Sequence, residues 1–152
     1  MGLAFNRPLP RSTEEKRRAM VITKVVEIAD KHTDQLGFLS HVEAVRLFES
    51  ARSQWYAACG LYNDQSNVGR RLSSVVVKVS VCYELACCVG EEVTVSTRPD
   101  SMGTKSFTLK HQLVKSNGRI AIDGCATSVI MDLTNRVAIA VPTCLAAHLP
   151  RC

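Results

Sequence analysis

An acidic residue, a glycine and a predicted helix start lie within a few positions of one another in the segment HTDQLGFLSHVE, residues 32–43. The acidic residue is Asp34 and the glycine is Gly37. The first turn of an α-helix has unpaired backbone N–H groups and a partial positive charge, so it can stabilise an oxygen that gains negative charge. A carboxylate just upstream could attack a carbonyl carbon or activate a water beside it. Asp34 is therefore the first candidate catalytic residue, although Asp also favours turns for local reasons.

The element that must position Asp34 is a long amphipathic helix. Ser40 and Glu43 have the S-x-x-E spacing of a capping box, in which the hydroxyl and the carboxylate each accept a free backbone N–H. Apolar residues then recur at helical spacing, and Gly60 is a natural stop, so the pattern predicts a helix over residues 40–59. On its surface Glu49 and Arg52, three residues apart, are predicted to form an ion pair. The apolar face consists of Ala44, Leu47, Phe48, Ala51, Trp55 and Ala58.

Five segments are predicted to be strands, because they are rich in β-branched residues or alternate between apolar and polar positions. One precedes the helix and four follow it, and Val75, Val77, Val79, Val81 and Tyr83 share one side of the first of these four. One strand, one long helix and four antiparallel strands, the last three in a meander, predict an α+β fold with a curved five-stranded sheet around a single helix. The segments are residues 20–30, 73–85, 91–98, 104–115 and 119–133.

Composition indicates an ordinary globular protein of one domain. The chain has 152 residues, of which 46% are hydrophobic and 22% charged, so it can bury a core without a disulfide or metal. The seven cysteines are odd in number and show no C-x-x-C spacing, so we expect no zinc site and no disulfide framework. With no secretory signal and no apolar run long enough for a membrane span, we expect a cytoplasmic protein. The basic residues are scattered without interleaved aromatics, so nucleic acid is not an expected partner.

The chain is predicted to divide into an arm, a domain and a tail. Residues 1–19 hold five basic and two acidic residues together with two prolines, which favours a flexible basic arm, a trimmed transit peptide being the alternative. The regular pattern extends over residues 20–145 as one domain, and residues 146–152 form a C-terminal tail. No internal repeat is present in the sequence.

The order of these motifs resembles the hotdog-fold acyl-CoA thioesterases of the 4-hydroxybenzoyl-CoA thioesterase type. The resemblance rests on Asp34-x-x-Gly37-x-x-x-His41, on LFESAR at residues 47–52 and on TKSF at residues 104–107, and it covers residues 20–145 in order. It implies the hotdog fold and hydrolysis of a thioester of coenzyme A or of an acyl carrier protein. It also implies a homodimer, or a tetramer of such dimers, with active sites at the subunit boundary. No cofactor is implied, because coenzyme A is part of the substrate.

The resemblance also assigns roles to particular residues. Asp34 corresponds to the nucleophile or general base, the polarising backbone amide falls at His41, and Gly37 gives the loop room near the substrate. Glu49 is the second-choice catalytic carboxylate, because some hotdog thioesterases use a Glu from the central helix. The substrate-binding set consists of Lys105 and Ser106, which match a position that contacts the nucleotide phosphates, and of Arg136 as a weaker candidate.

Two positions in the first turn of the helix depart from the family pattern. Many relatives have Asn or Ser and then Tyr where this chain has Glu43 and Ala44. A carboxylate near Asp34 would repel it, and the loss of an aromatic ring changes the pocket wall, so the substrate is left open. The alternative to an enzyme is a non-catalytic acyl-CoA-binding or regulatory hotdog module. A hotdog dehydratase is disfavoured, because its loop His lies near a Pro that HTDQLGF lacks.

Overall fold

A computed structural model describes residues 20–62 and 69–151, so the predicted basic arm lies outside the described residues. Six strands, a long central helix and a short C-terminal helix make up this part of the chain. The α+β prediction is confirmed, with one strand more than the five expected. In chain order the elements are β1 (Ile22–Glu27), a 3-10 turn (Asp30–His32), α1 (His41–Cys59), β2 (Leu72–Tyr83), β3 (Glu92–Met102), β4 (Ser106–Lys115), β5 (Ile120–Asp132), β6 (Val137–Ile139) and α2 (Thr143–Ala146).

The central helix begins and ends where its sequence predicts. Ser40 is the N-cap, and its hydroxyl accepts a hydrogen bond from the Glu43 N–H at 3.2 Å. The other half of the predicted capping box does not form, because the Ser40 N–H donates to the carbonyl of His32 at 3.0 Å. At the other end Gly60 adopts the left-handed conformation, φ 77°, which an L side chain would strain.

The strands form an antiparallel sheet in the order β1-β3-β4-β5-β2. The predicted meander of β3, β4 and β5 is confirmed. The sixth strand, β6, pairs with the end of β5 through Ile130 and Ile139, on the side where β4 has already ended at Ser106. Its three residues are too short to give a strand signal from sequence.

The core lies between the central helix and one face of the sheet. Near the start of α1, Phe48 and Ala51 pack against residues of β3 and β4 such as Val95 and Leu113. Nearer its end, Trp55 and Tyr56 pack against Phe107, Ile130 and the C-terminal segment. The predicted apolar face is confirmed except that Ala58 is exposed and Tyr56 takes its place in the core.

The edge strand β2 carries an apolar surface that the described chain does not cover. A bulge at Val77 shifts the pairing with β5 and interrupts the predicted one-sided stripe of valines. Val81 packs on the core, whereas the four valines preceding it are substantially exposed. An uncovered edge strand of 12 residues is a ready template for pairing with another chain. The exposed valines are Val75, Val76, Val77 and Val79.

Candidate active site

Asp34 lies in a tight loop whose backbone its own side chain organises. Its Oδ1 accepts hydrogen bonds from the N–H of Leu36 at 2.9 Å and of Phe38 at 3.2 Å. Its backbone N–H donates to the Phe38 carbonyl at 2.8 Å. The predicted turn role of Asp34 is therefore present. It uses one carboxylate oxygen, and Oδ2 has no partner among the described residues.

Gly37 allows this loop to close. It has φ 78°, and its N–H donates to the Asp34 carbonyl at 3.1 Å. Nothing lies within 4 Å of where a Cβ would be, so its conformation and not a close neighbour requires glycine. The open space beside Gly37 leaves the loop accessible from solvent.

The start of α1 is held beside the Asp34 loop. An isolated antiparallel bridge joins Thr33 to Leu39, so both ends of the loop lie together. Ser40 caps one N–H of the first turn, whereas the N–H groups of His41 and Val42 meet no acceptor within the described chain. These two donors, at the positive end of a 19-residue helix, can receive an oxygen that gains negative charge.

The acidic residue that departs from the family pattern has its charge offset locally. The Glu43 Oε1 lies 3.4 Å from Nε of Arg46, one turn further along the helix. This pair reduces the repulsion that Glu43 would exert on Asp34. Ala44 is fully buried, so the position of the missing aromatic ring faces the core.

A cavity of about 230 Å³ adjoins the Asp34 loop. Tyr83 lies on its wall, and the phenol hydroxyl donates to the His41 carbonyl at 3.3 Å, which ties the cavity to the first residue of α1. No local pattern in the sequence predicts this cavity, because its walls come from three separate parts of the chain. Its lining includes Phe38, Leu39, Tyr83, Glu84, Leu85 and Cys87.

A partly exposed ion pair fixes the loop that forms this wall. Lys115 Nζ lies 3.1 Å from Glu91 Oε1 and donates to the Ala86 carbonyl at 2.8 Å. The second oxygen of Glu91 accepts the Cys88 N–H, and these contacts hold the pKa of Glu91 below its usual value. The turn after β2 is therefore anchored to the end of β4.

Glu49 lies two turns into α1 and is exposed. The predicted ion pair with Arg52 is wrong: neither residue has an ion-pair partner in the described chain, and the helix pair that forms is Glu43 with Arg46. At about 1.5 Å per residue, Glu49 is roughly 12 Å along the axis from His41. Glu49 and the Asp34 loop are thus separate in the single chain.

The proposed substrate-binding residues lie at the opposite end of the sheet. Lys105 is exposed in the turn between β3 and β4, and Ser106 begins β4 opposite Val129. Arg136 is exposed in the turn between β5 and β6. The Asp34 end of β5 is marked by Ala121, whose carbonyl accepts two N–H groups from the cavity wall. From Ala121 to Val129 the strand covers roughly 25 Å, at about 3.3 Å per residue.

A second cavity, of about 480 Å³, lies at this far end. Thr104 and Arg151 line it, and backbone hydrogen bonds from Val141 to Thr104 and from Met102 to Pro150 hold the C-terminal segment against the turn. Lys105 and Arg151 are exposed and have no ion-pair partner in the described residues.

His111 is a buried core residue. Its Nδ1 lies 2.8 Å from Thr97 Oγ1, and its ring stacks on Phe48 with centroids 5.2 Å apart. Burial, with a smaller contribution from the Arg52 cation, lowers the pKa of His111 to about 4. The imidazole is therefore neutral at neutral pH. Its Nε2 has no partner among the described residues.

The described residues hold no cluster of three or more His, Cys, Asp or Glu side chains arranged to bind a metal ion. Within the same ranges no helix has the length and apolarity that crossing a membrane requires.

Comparison with known proteins connects this geometry to a family. The model of the thioesterase-like superfamily matches residues 26–149, which is most of the chain. The chain belongs to the thioesterase-like superfamily. A search of the curated proteins found no significant match to this sequence.

Solved structures share the fold of this chain. The Staphylococcus aureus protein SAV2348, determined in complex with CoA, aligns with TM-score 0.77 at 14% identity, covering 86% of this chain and 82% of its own. Slr0204, a 1,4-dihydroxy-2-naphthoyl-CoA thioesterase from Synechocystis, aligns with TM-score 0.72 at 14% identity, covering 85% of this chain and 96% of its own. A DHNA-CoA thioesterase from S. aureus aligns with TM-score 0.68 at 21% identity, covering 79% of this chain and 80% of its own. The predicted hotdog fold and thioesterase family are therefore confirmed.

Proposed function

We propose that this member of the superfamily is an acyl-CoA thioesterase with Asp34 as its nucleophile or general base. The observation that carries the proposal is one juxtaposition. A carboxylate oxygen without a partner, the unpaired N–H groups of His41 and Val42, and a cavity of about 230 Å³ all lie at the same end of the molecule. An acyl group in the cavity would bring its thioester carbonyl towards both the carboxylate and the helix start.

As a general base, Asp34 takes a proton from a water molecule while the water oxygen bonds to the thioester carbon. The carbonyl oxygen becomes an oxyanion, which the His41 and Val42 N–H groups stabilise more strongly than they stabilise the neutral ester. A lone pair of the oxyanion then re-forms the carbonyl as the C–S bond breaks, and the departing thiolate, which keeps the electrons of that bond, takes the proton from Asp34. As a nucleophile, Asp34 instead forms an anhydride that water hydrolyses. Both routes yield the free acid and the coenzyme A thiol.

We propose further that the active unit is a homodimer, or a tetramer of such dimers. Antiparallel pairing of β2 with its symmetry mate would cover the exposed valines and reverse the strand direction across the interface. The Asp34 end of one chain would then lie beside the Lys105 end of the other. Lys105, Ser106 and Arg136 would contact coenzyme A phosphates from the partner subunit, although one chain keeps them far from Asp34.

We propose that the enzyme is located in the cytoplasm. The six cysteines in the described residues are all free thiols, which suits a reducing compartment. We also propose to test thioesters of an acyl carrier protein, because the groups of the proposed site act on the thioester bond and not on the carrier.

A hydrolysis screen tests the proposal directly. The full-length protein is incubated with short-chain, long-chain and aromatic acyl-CoA thioesters and with acyl carrier protein thioesters, and released thiol is measured. We expect turnover of at least one coenzyme A thioester, dependent on Asp34. Tight binding of acyl-CoA without hydrolysis across the panel would contradict an enzyme and favour the non-catalytic binding module.

A further inference from the structure

The cavity that adjoins the Asp34 loop is lined by groups that are neutral at neutral pH, with one exception. Phe38, Leu39 and Leu85 are apolar. Burial raises the pKa of the Tyr83 phenol and of the Cys87 thiol, so both keep their protons. The remaining ionisable group on the wall is the carboxylate of Glu84.

No cation among the described residues forms an ion pair with Glu84. Its side chain has no hydrogen bond and no ion pair among the described residues, although its backbone N–H donates to the Ala121 carbonyl. The lysine anchored to the same loop, Lys115, is already shared between Glu91 and the Ala86 carbonyl. An acyl group in this cavity would therefore meet an unneutralised negative charge on a largely apolar wall.

We propose that Glu84 selects the acyl group by charge, a proposal that rests on the thioesterase function above. The cavity would accept apolar acyl groups and those ending in a hydroxyl, which can donate a hydrogen bond to the carboxylate. It would reject acyl groups that end in a carboxylate. Glu84 is then a specificity-determining residue that contacts the far end of the acyl group and takes no part in bond breaking.

The physical reason is that like charges repel more strongly when water is displaced. Two carboxylates about 4 Å apart at a protein surface repel each other, whereas a methyl group meets no such repulsion. A hydroxyl recovers part of the desolvation of Glu84 by donating to it. Every acyl-CoA carries the same phosphates. Differences in kcat/KM within one series therefore arise from the acyl end alone.

Three thioesters of equal chain length test this selection: hexanoyl-CoA, 6-hydroxyhexanoyl-CoA and adipoyl-CoA. The full-length protein and its Glu84→Gln variant are compared by kcat/KM at low ionic strength. We expect wild type to process adipoyl-CoA at least about tenfold less efficiently than hexanoyl-CoA. Glu84→Gln should raise the adipoyl-to-hexanoyl ratio of kcat/KM about tenfold.

Glu92→Gln is the matched control, because it removes the same charge from an exposed residue outside the cavity. It should leave the adipoyl-to-hexanoyl ratio unchanged. An equal ratio in wild type and Glu84→Gln overturns the proposal while the thioesterase function stands.

If wild type hydrolyses none of the three, the wider thioester panel described above decides the proposed function separately. Calorimetric binding of the same thioesters then decides the matter for Glu84. Weaker binding of adipoyl-CoA that Glu84→Gln relieves supports charge selection, and equal affinities overturn it.

Discussion

The phenol hydroxyl of Tyr83 donates a hydrogen bond to the backbone carbonyl of His41 at 3.3 Å. Tyr83 ends the edge strand β2, and His41 begins the central helix, so the contact joins the proposed dimer edge to the proposed oxyanion site. The two elements are far apart in sequence and share this point at the mouth of the cavity.

Replacing Tyr83 with Phe tests whether this contact positions the helix start. The ring remains, so the cavity keeps its wall, but the His41 carbonyl loses its donor. We expect kcat to fall by a few-fold and the free energy of unfolding to fall by no more than about 1 kcal/mol. Unfolding is followed in parallel by denaturant titration. An unchanged kcat would mean that Tyr83 lines the cavity without positioning the helix start.

Replacing Asp34 with Asn separates its chemical role from its turn role. The Asn side-chain carbonyl can still accept the N–H groups of Leu36 and Phe38, so the loop should keep its shape. Removal of the charge should lower kcat by roughly 10² or more, with acyl-CoA binding largely retained. Steady-state kinetics and calorimetric binding measure the two effects.

Glu49→Gln is the control for the Asp34 variant. It removes a helix carboxylate that is exposed and lacks an ion-pair partner in the described chain, so folding should be unaffected. Near-normal turnover in Asp34→Asn together with a collapse in Glu49→Gln would transfer the catalytic role to Glu49.

Lys105→Ala should raise KM for an acyl-CoA with little change in kcat. A phosphate contact at an exposed rim is the same in the ground state and the transition state, so it contributes to binding alone. The cost should be about 1 kcal/mol and should shrink at high salt. Lys24→Ala, an exposed lysine on β1, is the matched control. An unchanged KM at low ionic strength would place Lys105 outside the binding site.

Val77→Lys should dissociate the proposed dimer. Val77 is 59% exposed on edge strand β2, and Val25, 62% exposed on the opposite edge strand β1, offers a control of equal exposure. An unpaired charge in an interface costs about 3 kcal/mol, which weakens dimer affinity by roughly 10²-fold. Light scattering at micromolar concentration should give a monomer for Val77→Lys and a dimer for Val25→Lys. A wild-type monomer, or equal effects of both variants, would argue against pairing through β2.

His111 should make stability fall with acidification. Its folded-state pKa is about 4, below the ordinary 6.5, so between these values the unfolded chain binds more protons than the folded one. The stability contributed by the neutral ring is present above pH 6.5 and is lost as pH falls towards 4, by on the order of 3 kcal/mol. Denaturant titrations from pH 7 to 4.5 should show a shallower pH dependence for His111→Asn than for wild type. Equal slopes would contradict a neutral buried His111.

The sequence by itself determined the features that depend on neighbours a few residues away. The bounds of the central helix follow from Ser40 and Gly60, because caps act within one turn. The Asp34 turn follows from a short side chain that bonds its own backbone and from Gly37 at positive φ. The α+β pattern also follows, since helical and strand periodicities are visible in the order of apolar and polar residues.

Only the tertiary structure decided what depends on strand register and on contacts between distant segments. The His32 carbonyl occupies the Ser40 N–H, so the capping box is half formed and Glu43 is available to Arg46. The register of β4 and β5 places Lys105 away from Asp34, a separation that local spacing does not encode. The cavity exists because the turn after Tyr83 packs against the Asp34 loop. The pKa of His111 is set by burial, which arises only when distant segments pack together.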